Sequence, residues 1–139
     1  MVDRKSKYSL LELLPTKHAK EVIDATRRCI KRLPRKIFHT CTYDNGKEFS
    51  GHKEISKILG ARCYFATSYR SWERGLNEHT NGLIRQYLPK KSEFTTLEHQ
   101  EVRFIENRLN NRSRKVLGFR TPREVFFKIK RPAKIALQC

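Results

Sequence analysis

From Ile37 to Tyr43 the chain reads Ile-Phe-His-Thr-Cys-Thr-Tyr, and it then breaks at Asp44-Asn45-Gly46. Aromatic and β-branched residues in such a run predict a strand, and Asn-Gly is a strong turn signal. A short apolar helix pattern follows, with Ile55, Ile58 and Leu59 facing inward and Gly60 as its stop. Arg62 to Thr67 is the next predicted strand, and Leu76 to Leu88 the next helix. This alternation of strand and helix constrains the fold more than any other feature, because it requires an α/β layered domain.

The flanking segments fit that frame. Met1 to Leu14 reads as a strand, a turn at Lys5-Ser6-Lys7 and a second strand from Tyr8. Pro15-Thr16 opens a helix with Thr16 as N-cap, and Ala19, Val22, Ile23, Thr26, Ile30 and Leu33 form its sheet-facing side until Pro34 ends it. Thr95-x-x-Glu98 is a capping-box pattern before a helix that buries Val102, Ile105 and Leu109 and exposes Arg103, Arg108 and Arg112. A second box, Thr121-Pro122-Arg123-Glu124, opens a short helix through Phe127. Residues 1–127 are expected to form one core, and 128–139 a basic tail.

Charge narrows the function. Lys and Arg number 31 against 14 acids, a formal net charge of +17 in 139 residues. A field of that sign favours a polyanion, with nucleic acid first. A basic RNA-associated protein of ribosomal type would also explain the charge. An anionic membrane would require a basic amphipathic helix with a broad apolar face, and the sequence has no clear one. Cys29, Cys41, Cys63 and Cys139 make no C-x-x-C pair, so a zinc ribbon is disfavoured and reduced thiols of a cytosolic chain are expected.

Two carboxylates stand out. Asp44 ends a strand, where α/β folds commonly place their sites; its plain alternative is an Asx-type turn cap. Glu78 sits early in a helix, where a solvated charge is the ordinary role. Residues 45–77, 33 in number, separate them. Held together, two such groups would suit Mg²⁺, a hard cation that takes oxygen ligands. On the helix of Glu78, residues Asn81, Gly82 and Arg85 share its face.

Asp44-Asn45-Gly46-x-Glu48-Phe49, the 33-residue gap and Gly75-x-x-Glu78-x-x-Asn81 together resemble the DDE transposase and retroviral-type integrase superfamily, whose core is ribonuclease-H-like. The run from Tyr69 to Lys90, with Asn110-Asn111-Arg112 and Thr121-Pro122-x-Glu124-Val125, looks like the IS-thirty-type insertion-sequence branch. The resemblance implies a mixed sheet with flanking helices and metal-dependent phosphoryl transfer on DNA, with two Mg²⁺ (or Mn²⁺) ions bridging the reacting phosphate. It makes Asp44 the second acidic ligand and Glu78 the third. Asn81 and Arg85 would face the DNA backbone, Arg70, Arg74 and Lys90 would contact phosphates, and Trp72 would stack on an unpaired base or equally anchor its loop. Glu73 is a rival for Glu78 that falls outside the Gly-x-x-Glu pattern.

The first acid of the triad belongs on a strand upstream of the Lys5 turn. Asp3 and Asp24 do not match it, and the family's N-terminal DNA-binding helices find no counterpart. The expectation is therefore a core without its first strand, binding metal weakly, with a catalytically inactive DNA-binding fragment as the alternative. Bacterial cytoplasm (the nucleoid), DNA ends and targets as partners, and a homodimer or higher multimer complete what the resemblance implies.

Overall fold

The computed structural model describes residues 1–34, 38–66, 75–89 and 97–129. In chain order its elements are α1 (Ala19–Lys31), β1 (Thr40–Tyr43), α2 (His52–Leu59), β2 (Arg62–Phe65), α3 (Gly75–Ile84), α4 (His99–Asn110) and α5 (Pro122–Phe126). β1 and β2 pair in parallel, with Thr40 opposite Arg62 and Tyr43 opposite Phe65. This is the α/β layering expected: a parallel crossover through α2, with α1 packed on α2.

The core forms where these layers meet. Val22 of α1, Ile55 and Leu59 of α2 and Ala61 are buried together, with Ile23, Ile30, Phe38, Cys41, Tyr43 and Phe49 packed around them. A Cβ on Gly51 would come within 2.7 Å of Ile23 Cδ1, so glycine permits the close approach of the chain to α1 there. Gly60 adopts φ 61° and ends α2 in the left-handed conformation that its position in the sequence predicts.

Several local expectations shift. α1 begins at Ala19 with His18 as N-cap and no side-chain capping bond; Thr16 instead accepts a bond from the His18 N–H at 3.4 Å. The box before α4 lies one turn later than predicted: Glu98 is the N-cap, and its N–H donates to Glu101 Oε2 at 2.9 Å. The box at Thr121 and Glu124 forms as read, with Pro122 at the first turn. α3 is regular only to Ile84, and the chain then tightens into turns through Tyr87.

The N-terminal segment is the larger departure. In place of two strands there is one antiparallel bridge, Val2 to Ser9, around a turn in which Lys7 has φ 63°. One side of the second limb is bonded to the first: Leu10 N–H donates to Met1 C=O, and Asp3 N–H to Tyr8 C=O. The other side is bonded by α4 side chains. Asn110 accepts from Ser9 N–H at 2.8 Å and donates to Ser9 C=O at 2.7 Å; Glu106 accepts from Leu11 N–H at 2.6 Å, and Arg103 donates to Leu11 C=O at 3.0 Å. A helix face thus does the work of a neighbouring strand. The expectation that Arg103 is exposed fails for this reason: it also reaches Glu12 Oε2 at 2.6 Å. At the far end, Tyr8 stacks on Phe126 of α5, ring centroids 4.4 Å apart, with Phe127 edge-on.

Burial pushes the Cys29 and Cys41 thiols and the Tyr43 phenol above their ordinary values. Each holds its proton in the fold at a pH where the unfolded chain releases it. Their contribution is fully present below about pH 9 and is lost as pH rises further. The urea midpoint should therefore fall between pH 8 and pH 10, and a flat midpoint would mean these groups are solvated. Among the described residues, no helix is long and apolar enough to cross a membrane.

Candidate functional site

The carboxyl ends of the two parallel strands are locked together. Ala66 N–H donates to Tyr43 C=O at 2.7 Å, and Asn45 Nδ2 donates back to Ala66 C=O at 3.2 Å. Asp44 lies half-buried between these two fastened residues, at the end of β1. Its backbone is therefore fixed by the sheet rather than by a free loop. Beyond it the chain winds into a 3-10 turn, Lys47–Phe49, which carries Glu48 back over Gly46; a Cβ on Gly46 would collide with that carboxyl group. Phe49 closes the turn by packing on Tyr43, centroids 4.6 Å apart. Glu48, part of the Asp44 motif in the sequence, lies in this 3-10 turn with its carboxyl group over Gly46.

Glu78 lies in the first turn of α3, where the helix dipole favours an anion. It is exposed, as are Asn81, Gly82 and Arg85, the residues expected on its face. Thr80 takes the buried side, where α3 packs on α4. The described residues thus give Glu78, Asn81 and Arg85 one solvent-facing row. Arg70, Trp72, Arg74 and Lys90, and Glu73 with them, lie outside the described residues.

The donor chemistry suits a hard cation. Asp44 and Glu78 offer carboxylate oxygens, and Mg²⁺ is commonly held by one or two carboxylates with water and substrate phosphate completing its shell. Among the described residues, no three or more His, Cys, Asp or Glu side chains are grouped so as to hold a metal.

A different polar cluster was invisible to sequence reasoning. Glu12 accepts from Arg28 Nε at 3.0 Å, from an Arg32 guanidinium nitrogen at 3.3 Å and from Arg103 at 2.6 Å. Glu106 takes Arg32 at 2.8 Å and Arg103 at 3.3 Å. These arginines are spent on structure, which separates them from cations available to a ligand.

No family model matches the sequence. The chain is 52% identical over 98 residues to the transposase for insertion sequence element IS4351 of Bacteroides fragilis, a match covering 70% of the chain and 30% of that protein. It is 39% identical over 125 residues to transposase InsI for insertion sequence element IS30A of Escherichia coli (strain K12), covering 90% of the chain and 33% of the relative. The chain spans about a third of the length of the curated relatives it matches. In fold it resembles the catalytic core domain of BIV integrase, with a TM-score of 0.65 at 20% identity, over 91% of this chain and 82% of that one. The strand-end Asp44 and the helix-borne Glu78 therefore sit in an integrase-type core fold, and the chain is related by sequence to the IS30-type insertion-sequence transposases.

Proposed function

We propose that the chain is part of the catalytic core of a DNA transposase, and that Asp44 and Glu78 together hold a divalent ion for phosphoryl transfer at DNA strands. The observation that carries this is the anchoring of Asp44 at the carboxyl end of a parallel strand pair in an integrase-type fold. The relatedness to transposases and the net charge of +17 support DNA as the substrate. A bound Mg²⁺ or Mn²⁺ would act as a Lewis acid on the phosphate and generate the attacking oxygen nucleophile. The chain's own residues have separate tasks: Asn81 and Arg85, in the row of Glu78, orient the DNA backbone, joined by Arg70, Arg74 and Lys90, while Trp72 stacks on a base. Residues 1–127 form this core, and 128–139 add basic charge. Assembly of two or more copies on paired DNA ends is part of the same reading.

The decisive test reads the metal directly. Fe²⁺ with ascorbate and peroxide cuts a polypeptide beside the bound ion. Cuts are expected near both Asp44 and Glu78, suppressed by excess Mg²⁺ and lost in Asp44→Asn and Glu78→Gln. Cutting at one of the two positions alone, or at neither, would refute a shared ion. Mn²⁺-dependent nicking of DNA carrying inverted-repeat ends, abolished by the same substitutions, separates an active core from a fragment that only binds.

A further inference from the structure

The turn after α3 and the C-terminal end of α4 enclose an open pocket of about 410 Å³, lined by Tyr87, Asn107, Arg108, Asn111 and Arg112. Its lining is two guanidinium groups, two amides and a phenol, and it includes no acid. Among the described residues neither Arg108 nor Arg112 forms an ion pair. Arg108 lies over the exposed Phe104 ring, 5.7 Å from its centroid, and Arg112 donates to Gln86 Oε1 at 3.3 Å. Both are held in place by neutral groups.

That arrangement is unfavourable without a counter-ion. Arg108, in the last turn of α4, and Arg112, two residues beyond the helix, bring like charges to one pocket, where they repel. Arg114 adds a third cation: burial lowers its affinity for its proton, and the positive charge of Arg112 lowers it further. The helix end itself is shielded. Asn111 N–H and Nδ2 both donate to Asn107 C=O, and Arg114 donates to Leu109 C=O at 3.3 Å, so these last carbonyls are occupied. Asn111 Nδ2 also donates to Asn107 Oδ1, which leaves the Asn107 NH₂ group without a hydrogen bond among the described residues. The opposite face of α4 shows the contrast: there Arg103 is neutralised by Glu12 and Glu106.

We propose that this pocket is a nucleic-acid backbone site, in which Arg108 and Arg112 grip successive phosphodiester oxygens and Asn107 donates to a third. Guanidinium groups match phosphate oxygens with paired donors. A cleft open to solvent and lined by donors admits a passing sugar–phosphate chain, and contacts to phosphate oxygens position DNA without carrying sequence information. The site rests on the DNA-substrate reading above but not on the metal site, since it uses neither Asp44 nor Glu78.

The test is fluorescence anisotropy with a labelled duplex about two turns long, titrated between about 50 and 200 mM salt. Arg108→Ala/Arg112→Ala should weaken binding roughly tenfold on any sequence and reduce the slope of log affinity against log salt by about two. Arg108→Lys/Arg112→Lys keeps the charge and should restore the slope. Both arginines are exposed, so circular dichroism should be unchanged. Wild-type affinity and slope in the alanine double variant would overturn the proposal while leaving the DNA-substrate reading intact. Absence of DNA binding by the parent chain would overturn both. Displacement of the duplex by millimolar inorganic phosphate in the wild type, but not in the alanine variant, would reassign the pocket to free phosphate. Preferential binding of polyglutamate through the same arginines would reassign it to acidic peptides. Loss of paired Fe²⁺ cutting with the arginine effect preserved would remove the metal site and leave this one standing.

Discussion

Glu12→Ala is expected to lower the unfolding free energy by about 3 kcal/mol, a large part of the roughly 5–15 kcal/mol available to a domain of this kind. The Glu12 side chain is only 6% exposed, yet it accepts from three arginines, Arg28 of α1, Arg32 at the cap just past its end, and Arg103 of α4. Removing it leaves those guanidinium groups facing one another around a cavity, and Arg32 and Arg103 would still compete for Glu106. Breaking a buried pair costs about 3–5 kcal/mol; the arginines are partly solvated, which places this case at the lower end. Glu12→Gln keeps the volume and loses the charge, so it should retain little of the lost stability if charge is the cause. Adding Arg103→Ala to Glu12→Ala should then cost less than the two changes made separately, because the second removes a repulsion that the first created. Urea denaturation followed by circular dichroism gives each value. A loss below about 1 kcal/mol in Glu12→Ala would show that water already screens the cluster.

What could be read from the sequence divides by range. The α2 stop at Gly60 and the Thr121 box depend on residues within one turn of each other, and both form where the pattern puts them. β1 and β2 also follow from local composition, and their pairing follows from the helix between them. The Ser9–Asn110 and Leu11–Glu106 contacts join residues 101 and 95 positions apart, and no local pattern encodes them. Reading α4 by its apolar period identified Val102, Ile105 and Leu109 correctly. The same reading names only Arg103, Arg108 and Arg112 as exposed; it gives no sign of the buried Glu106 and Asn110, and it misplaces Arg103. Residue type points to Thr16 and Thr95 as caps, whereas α1 starts after His18 with no side-chain cap and α4 starts at the reciprocal Glu98–Glu101 box. The candidate site rests on another kind of signal: the spacing and motif around Asp44 and Glu78 resemble those of a family, and the structure adds the lock between Tyr43, Asn45 and Ala66 that fixes the backbone on either side of Asp44.

Asn110→Ala should cost about 2–6 kcal/mol, for a reason that follows from that long-range contact. Asn110 is 3% exposed and Ser9 2%, so water cannot replace the bonds that are lost. The substitution orphans one backbone N–H and one C=O together, each worth about 1–3 kcal/mol when buried and unpaired. Asn110→Leu fills the space but satisfies neither group, so it should be nearly as damaging, which separates hydrogen bonding from cavity formation. The damage should also be local in its first effect. Glu106 still holds Leu11 N–H at 2.6 Å, and Phe126 still stacks on Tyr8, so the segment stays docked on both sides of the break. Hydrogen exchange should therefore accelerate at the Ser9 amide well beyond the change at Leu11. Equal acceleration at both amides would mean that the segment detaches as a unit and that Asn110 is its principal anchor. An unchanged Ser9 amide in a destabilised protein would show that the paired bonds are not the source of the loss.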